Sequence, residues 1–255
     1  MRLRDRVALV TGGGRGIGAA IARGFAREGA DLVLVSRTRE QLERQAEWIE
    51  QTTGRRPLTV VSDVGNPEDV ERVVRETVER HRRIDILVNA AGITMVSPSE
   101  SLKLEDWHRC LRTNLDGTFL FCQQVGRVMM EGGRGGKIIN ITSIVAHAAI
   151  PERAAYAASK GGVLQLTQNL AVEWAKYNIQ VNAISPGFIR TEIVQDLIAK
   201  GVHKPDRMVA RIPARRLGEV DDLVGPAVFL ASDDSNYVTG IALRVDGGWL
   251  ANGYI

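Results

Sequence analysis

Short apolar runs alternate with longer amphipathic stretches from one end of the chain to the other. Runs rich in Val, Ile and Leu fall at Val7–Thr11, Asp31–Ser36 and Leu58–Val61 and at residues 84–89, 137–141, 180–184 and 241–245. Their length and β-branched content predict strands. Between them, residues 18–28, 41–52, 67–81, 104–130, 155–177 and 220–231 are long enough to be crossover helices. Nearly continuous apolar strands such as Val7-Ala8-Leu9-Val10 and Ile86-Leu87-Val88 suit a parallel sheet buried on both faces. Strict alternation of strand and helix therefore predicts an α/β fold with a doubly wound, seven-stranded parallel sheet and helices on both faces. In such a fold ligands bind at the carboxyl ends of the strands.

In the predicted helix 104–130, Trp107, Leu111, Leu115, Phe119, Cys122 and Val125 recur at three- or four-residue steps, and this stripe is expected to face the core. Residues 186–216 mix Pro, Gly, charged and apolar positions without a clean period. That leaves open either a segment covering a site, over 187–216, or a plain surface excursion.

Composition narrows the classes. With 255 residues, 44% hydrophobic and 25% charged, the chain is expected to form one domain over 1–255. A net charge of +3, from 33 basic and 30 acidic residues spread along the chain, carries no basic tract, so no nucleic-acid partner is expected. The residues before Val7 lack the apolar segment of a signal peptide, and no uncharged run approaches the ~18 residues of a membrane span. A cytoplasmic protein with no membrane partner is the expectation. Cys110 and Cys122 lie on one predicted helix, about 18 Å apart by helical rise, too far for a disulfide. His81, His108, His147 and His203 show no metal-ligand spacing, and no metal is expected.

The first candidate chemistry is Thr11-Gly12-Gly13-Gly14-Arg15-Gly16-Ile17-Gly18, which follows a strand and opens a helix. There backbone N–H groups and a helix N-terminus can meet a pyrophosphate. Ala19-Ala20 replace the Lys and Ser/Thr that a triphosphate loop needs. The second strand ends in Ser36-Arg37, without the carboxylate that would accept hydrogen bonds from an adenosine ribose. A guanidinium there, joined by Arg15, can grip a 2′-phosphate, which favours NADP(H) over NAD(H).

The second is Tyr156-Ala157-Ala158-Ser159-Lys160, whose four-residue separation puts phenol and ammonium on one helix face. An unperturbed Tyr titrates near pH ~10, so a neighbouring cation is the natural means of easing its ionisation.

These motifs, with Asn89-Ala90-Ala91-Gly92, Asn114, Ser143 and Pro186-Gly187 in the same order, resemble the short-chain dehydrogenase/reductase family over nearly the whole chain. The resemblance implies a single-domain Rossmann fold and hydride exchange between NADP(H) and a secondary alcohol or ketone. By the same resemblance Tyr156 is the acid/base, and Lys160 binds the nicotinamide ribose and lowers the Tyr156 pKa. Ser143 holds the substrate oxygen, and Asn114 anchors a water near Lys160. Gly12, Arg15, Gly16, Ile17, Gly18, Ser36 and Arg37 would hold the phosphate side of the cofactor, and Asp63 and Val64 its adenine. Asn89, Ala90, Gly92, Tyr156, Lys160, Pro186, Gly187, Ile189 and Thr191 would hold the remainder. For Asp63 and Asn89 the local alternative is a turn cap.

Substrate contacts are expected from Ser143, Val145, His147, Tyr156 and Phe188. Members acting on sugar acids or polyols, such as gluconate 5-dehydrogenases, are the leading likeness, with 3-oxoacyl-carrier-protein reductases and general carbonyl reductases next. A non-catalytic NADP(H)-binding regulator is the alternative of another class. Family members commonly form homotetramers through the helices flanking the fifth strand. The apolar C-terminal stretch, 247–255, is expected to dock on the protein or a neighbour.

Overall fold

The computed structural model describes residues 1–202 and 204–253; His203 and the last two residues of the apolar tail, Tyr254 and Ile255, lie outside the described residues. Seven parallel strands form one sheet: β1 (Val7–Thr11), β2 (Asp31–Ser36), β3 (Leu58–Val61), β4 (Ile86–Asn89), β5 (Gly136–Ile141), β6 (Ile179–Pro186) and β7 (Ala242–Val245). Their order is 3-2-1-4-5-6-7, with β1 paired to β2 on one side and to β4 on the other. Winding therefore reverses beside β1, and the crevice beyond the carboxyl ends of β1 and β4 is where such a sheet takes a ligand.

The helices are α1 (Gly16–Arg27), α2 (Arg39–Thr53), α3 (Pro67–His81), α4 (Leu104–Leu111), α5 (Gly117–Gly132), α6 (Ala154–Trp174), α7 (Glu192–Ala199), α8 (Pro205–Arg211) and α9 (Val224–Ala231). Alternate residues of each strand feed the two faces. Ala8, Val10, Leu32 and Leu34 pack with Ile21 and Phe25 of α1, Leu42 of α2 and Leu230 of α9. Leu9, Val33, Val35 and Leu87 pack with Val70 and Val73 of α3, Phe121 and Val125 of α5 and Leu170 of α6. Burial on both sides is what the unbroken apolar runs require.

Two expectations are corrected. The span 104–130 is not one regular helix, because a π turn at Arg112–Asp116 separates α4 from α5. Nor does the whole stripe face the core: Cys122 and Val125 are buried, whereas Trp107, Leu111 and Leu115 are half-buried and Phe119 is 42% exposed, and Cys110, Asn114, Thr118 and Phe121 take the remaining buried positions. The inward face carries small and polar groups because the chain packs closely there. A Cβ on Gly117 would lie 2.8 Å from the Val64 side chain.

The segment 187–216 folds into α7 and α8 and closes over an apolar cluster of Ile144, Val145, Met208, Ile212, Leu217 and Trp249. Trp249, on the apolar C-terminal stretch, is buried and meets Phe188 edge to face at 6.1 Å.

Candidate active site

The glycine turn is built by close approach. Gly12 has φ +67°, and a Cβ there would stand 2.8 Å from the Ala90 backbone. A Cβ on Gly18 would be 2.3 Å from the Gly12 carbonyl oxygen, so α1 can start against β1 only with glycine. Thr11 fastens the turn to β4, its hydroxyl accepting from the Ala90 and Ala91 amides at 3.2 Å each. Arg15 precedes α1 without a capping side-chain hydrogen bond, so the first-turn amides remain available to an anion.

A cavity of about 550 Å³ opens in front of this turn. Gly12, Arg15, Gly16, Ile17, Gly18, Ala90 and Gly92 line one side, and Ser143, Val145, Tyr156, Lys160, Pro186, Gly187, Phe188, Ile189 and Thr191 line the rest. Bare backbone beside a helix N-terminus, running on to a phenol and an ammonium, fits a dinucleotide.

Other expected contacts lie outside this lining. Ser36 packs against the turn, its Oγ 2.9 Å from a Cβ placed on Gly14, and Arg37 is exposed at the β2 terminus with no hydrogen bond or ion pair among the described residues. The Asp63 carboxylate accepts from the Gly65 amide at 3.0 Å, which is the turn-cap alternative, and Val64 packs on Gly117. Asn89 is buried in the sheet, donating to Asn140 Oδ1 at 2.9 Å and Cys122 Sγ at 3.3 Å. His147 shares a 2.9 Å hydrogen bond with Ser185 of β6 and is not on the cavity lining.

At the catalytic end, Ser143 sits just past β5, and its Oγ accepts from the Val145 amide at 3.3 Å. The same hydroxyl draws the Tyr156 pKa down. Lys160 is buried, donates to the Ile141 carbonyl at 2.7 Å and lies 5.9 Å from the Tyr156 ring centroid. Burial brings Lys160 down to about 8. For Tyr156, burial outweighs the pull of the Ser143 hydroxyl and holds the phenol above its ordinary value; Arg153 pulls it down more weakly. In this state the phenol is a proton donor.

Asn114 occupies the π turn, completely buried. Its amide accepts from Ile93 N–H at 2.8 Å and donates to Ile93 C=O at 3.0 Å and to Ser159 Oγ at 3.0 Å. Ser159 in turn donates to the Tyr156 carbonyl at 2.7 Å. One side chain thus ties the loop after β4 to the helix carrying Tyr156 and Lys160. Asn114 Oδ1 and Lys160 Nζ both flank Gly92, at 3.3 and 3.6 Å from a Cβ placed there.

Sequence reasoning did not find Arg153, Lys204 or Arg207, all of which line the cavity. They fall on turns and on a short helix whose pattern was too mixed to place, and their charge was the one available signal. Among the described residues no cluster of three His, Cys, Asp or Glu side chains could hold a metal, and no helix is long and apolar enough to cross a membrane.

Residues 12–250 match a family model described as Enoyl-(Acyl carrier protein) reductase. The 2-dehydro-3-deoxy-D-gluconate 5-dehydrogenase of Bacillus subtilis (strain 168) is 43% identical over 98% of this chain and 96% of its own. The NAD-dependent glycerol dehydrogenase of Listeria innocua is 40% identical over 97% and 94%. The crystal structure of a gluconate 5-dehydrogenase from Burkholderia cenocepacia J2315 in complex with NADP and tartrate superposes with a TM-score of 0.93 at 42% identity, covering 98% of this chain and 97% of that one. Sheet order, glycine turn and full-length likeness converge on one assignment: this chain belongs to the short-chain dehydrogenase/reductase family, oxidoreductases that act on CH–OH groups with a nicotinamide cofactor.

Proposed function

We propose that the protein interconverts a sugar acid and its keto form with NADP(H), in the manner of a gluconate 5-dehydrogenase. The observation that carries the reading is one cavity that joins the glycine turn to the Ser143–Tyr156–Lys160 cluster. Full-length likeness to a dehydrogenase of a deoxygluconate and to a gluconate 5-dehydrogenase holding NADP and tartrate supports the substrate class.

A bound nicotinamide supplies the hydride. Ser143 Oγ hydrogen-bonds the substrate oxygen, and Tyr156 Oη gives it a proton during reduction or takes one during oxidation. Lys160 holds the ribose and, as a cation, favours phenolate when the proton leaves. Asn114 keeps the loop at Ile93 and the start of α6 in register. The segment 187–216 covers the substrate. Support for NADP over NAD comes from Arg37, exposed at the β2 terminus without a carboxylate beside it, and from Arg15 on the cavity rim. Leu104 on α4, Phe119 on α5 and Val172 on α6 are exposed at 63%, 42% and 82%, which supports a homotetramer formed through these helices.

The test is a panel of 5-oxo sugar acids, neutral ketoses and a 3-oxoacyl thioester, each assayed with NADPH and NADH. The expected result is the highest kcat/KM for a sugar acid with NADPH. Preference for the thioester would replace this reading with an acyl reductase, and NADPH binding without turnover of any carbonyl would point to the regulator class.

A further inference from the structure

The substrate side of the cavity is mostly apolar, with Ile144, Val145, Ile150, Phe188 and Met208 in its walls. Against this background stand cations that proton transfer does not use. Lys204 immediately precedes α8 and Arg207 lies in its first turn; both line the cavity and both are exposed. Neither side chain makes a hydrogen bond or ion pair among the described residues.

Their three-residue separation sets them on one side of the helix start. Met208, beside Arg207, is buried in the apolar cluster and anchors that turn. Arg153, buried on the same lining and close enough to lower the Tyr156 pKa, adds positive charge. The lining also carries two carboxylates, Glu152 and Glu192. Glu192 stands 3.9 Å from Arg15, and Glu152 acts on its neighbour Arg153, as Tyr156 does more weakly. The charge left over is that of Lys204 and Arg207.

We propose that Lys204 and Arg207 bind the carboxylate of the substrate and make the enzyme select an acidic ketose over its neutral counterpart. The inference rests on the sugar-acid reading above. Arg207 offers a planar fork that matches a carboxylate, and Lys204 adds a point charge.

The experiment compares wild type with Lys204→Met, Arg207→Met and the double variant at saturating NADPH. Each is assayed on a 5-oxo sugar acid and on the neutral ketose in which a hydroxymethyl group replaces the carboxylate. Methionine keeps the apolar stem and the helix. The double variant is expected to lose roughly 10–100-fold in kcat/KM on the acid, the range of a lost charge-assisted hydrogen bond. The loss falls mainly on KM, with the neutral ketose changed less than about twofold and Arg207→Lys recovering part of the acid activity. Equal losses on both substrates, no loss on the acid, or a rise confined to the KM for NADPH would overturn the clamp. A wild type that reduces neutral ketoses and no sugar acid would overturn the sugar-acid reading itself, and the clamp with it.

Discussion

The Lys160 ammonium is buried behind the phenol and satisfied by the Ile141 carbonyl, and its pKa lies at about 8 instead of the ordinary 10.5. A group that holds the cofactor ribose as a cation weakens its grip once deprotonated. The kcat/KM for NADPH, which reports the free enzyme, is therefore expected to fall as pH rises through about 8. Tyr156 is displaced in the opposite direction, raised by burial, so it stays protonated across the same range and remains competent as the acid in reduction. A kcat/KM profile flat from neutral to well above that value would show that Lys160 keeps its proton in the folded site. The residue pair is visible in the sequence as a four-residue spacing. The direction of each pKa is not, because it depends on desolvation by elements far away in the chain.

The element that organises the site is the α4–π turn–α5 run. Replacing one regular turn by a wider one at Asn114 aims a buried amide at both backbone groups of Ile93. Asn114→Ala would leave the Ile93 amide and carbonyl and Ser159 without this partner. A loss of roughly 1–3 kcal/mol in urea unfolding is expected, with kcat reduced because Ile93 borders the cavity. An unchanged unfolding midpoint would remove Asn114 from the framework.

Strands and most helices were legible, since apolar runs buried on two faces and turns marked by glycine are local signals. The π turn was not, because Asn114 reads as an ordinary polar helix residue until its partner in the loop after β4 is known. The setting of His147 was equally illegible: the family resemblance placed it among the substrate-facing positions after Ser143, and only the fold shows that the 3₁₀ turn at Ile144–Ala146 carries it to Ser185.

For the whole molecule, apolar side chains stand exposed on α4, α5 and α6, and one of them, Phe119, belongs to the stripe that the sequence pattern assigned to the core. A stripe that is apolar yet exposed in one chain fits burial against another copy. Val172→Glu, at an 82% exposed position, is expected to break the proposed tetramer into smaller species in light scattering without lowering the helix content. A wild type that runs as a monomer would contradict the proposed assembly. The segment 187–216 was the part of the fold least readable in advance. Its short helices are held by contacts with Trp249 and Val145, which are distant in the chain.

The account depends above all on the Tyr156 hydroxyl as the group that moves the proton. The most direct measurement is the turnover of NADPH with a sugar-acid ketone by Tyr156→Phe, beside NADPH binding by the same variant. The account predicts a fall in kcat of roughly 10²–10⁴-fold with binding affinity unchanged. Turnover close to wild type, with the dinucleotide still bound, would contradict it.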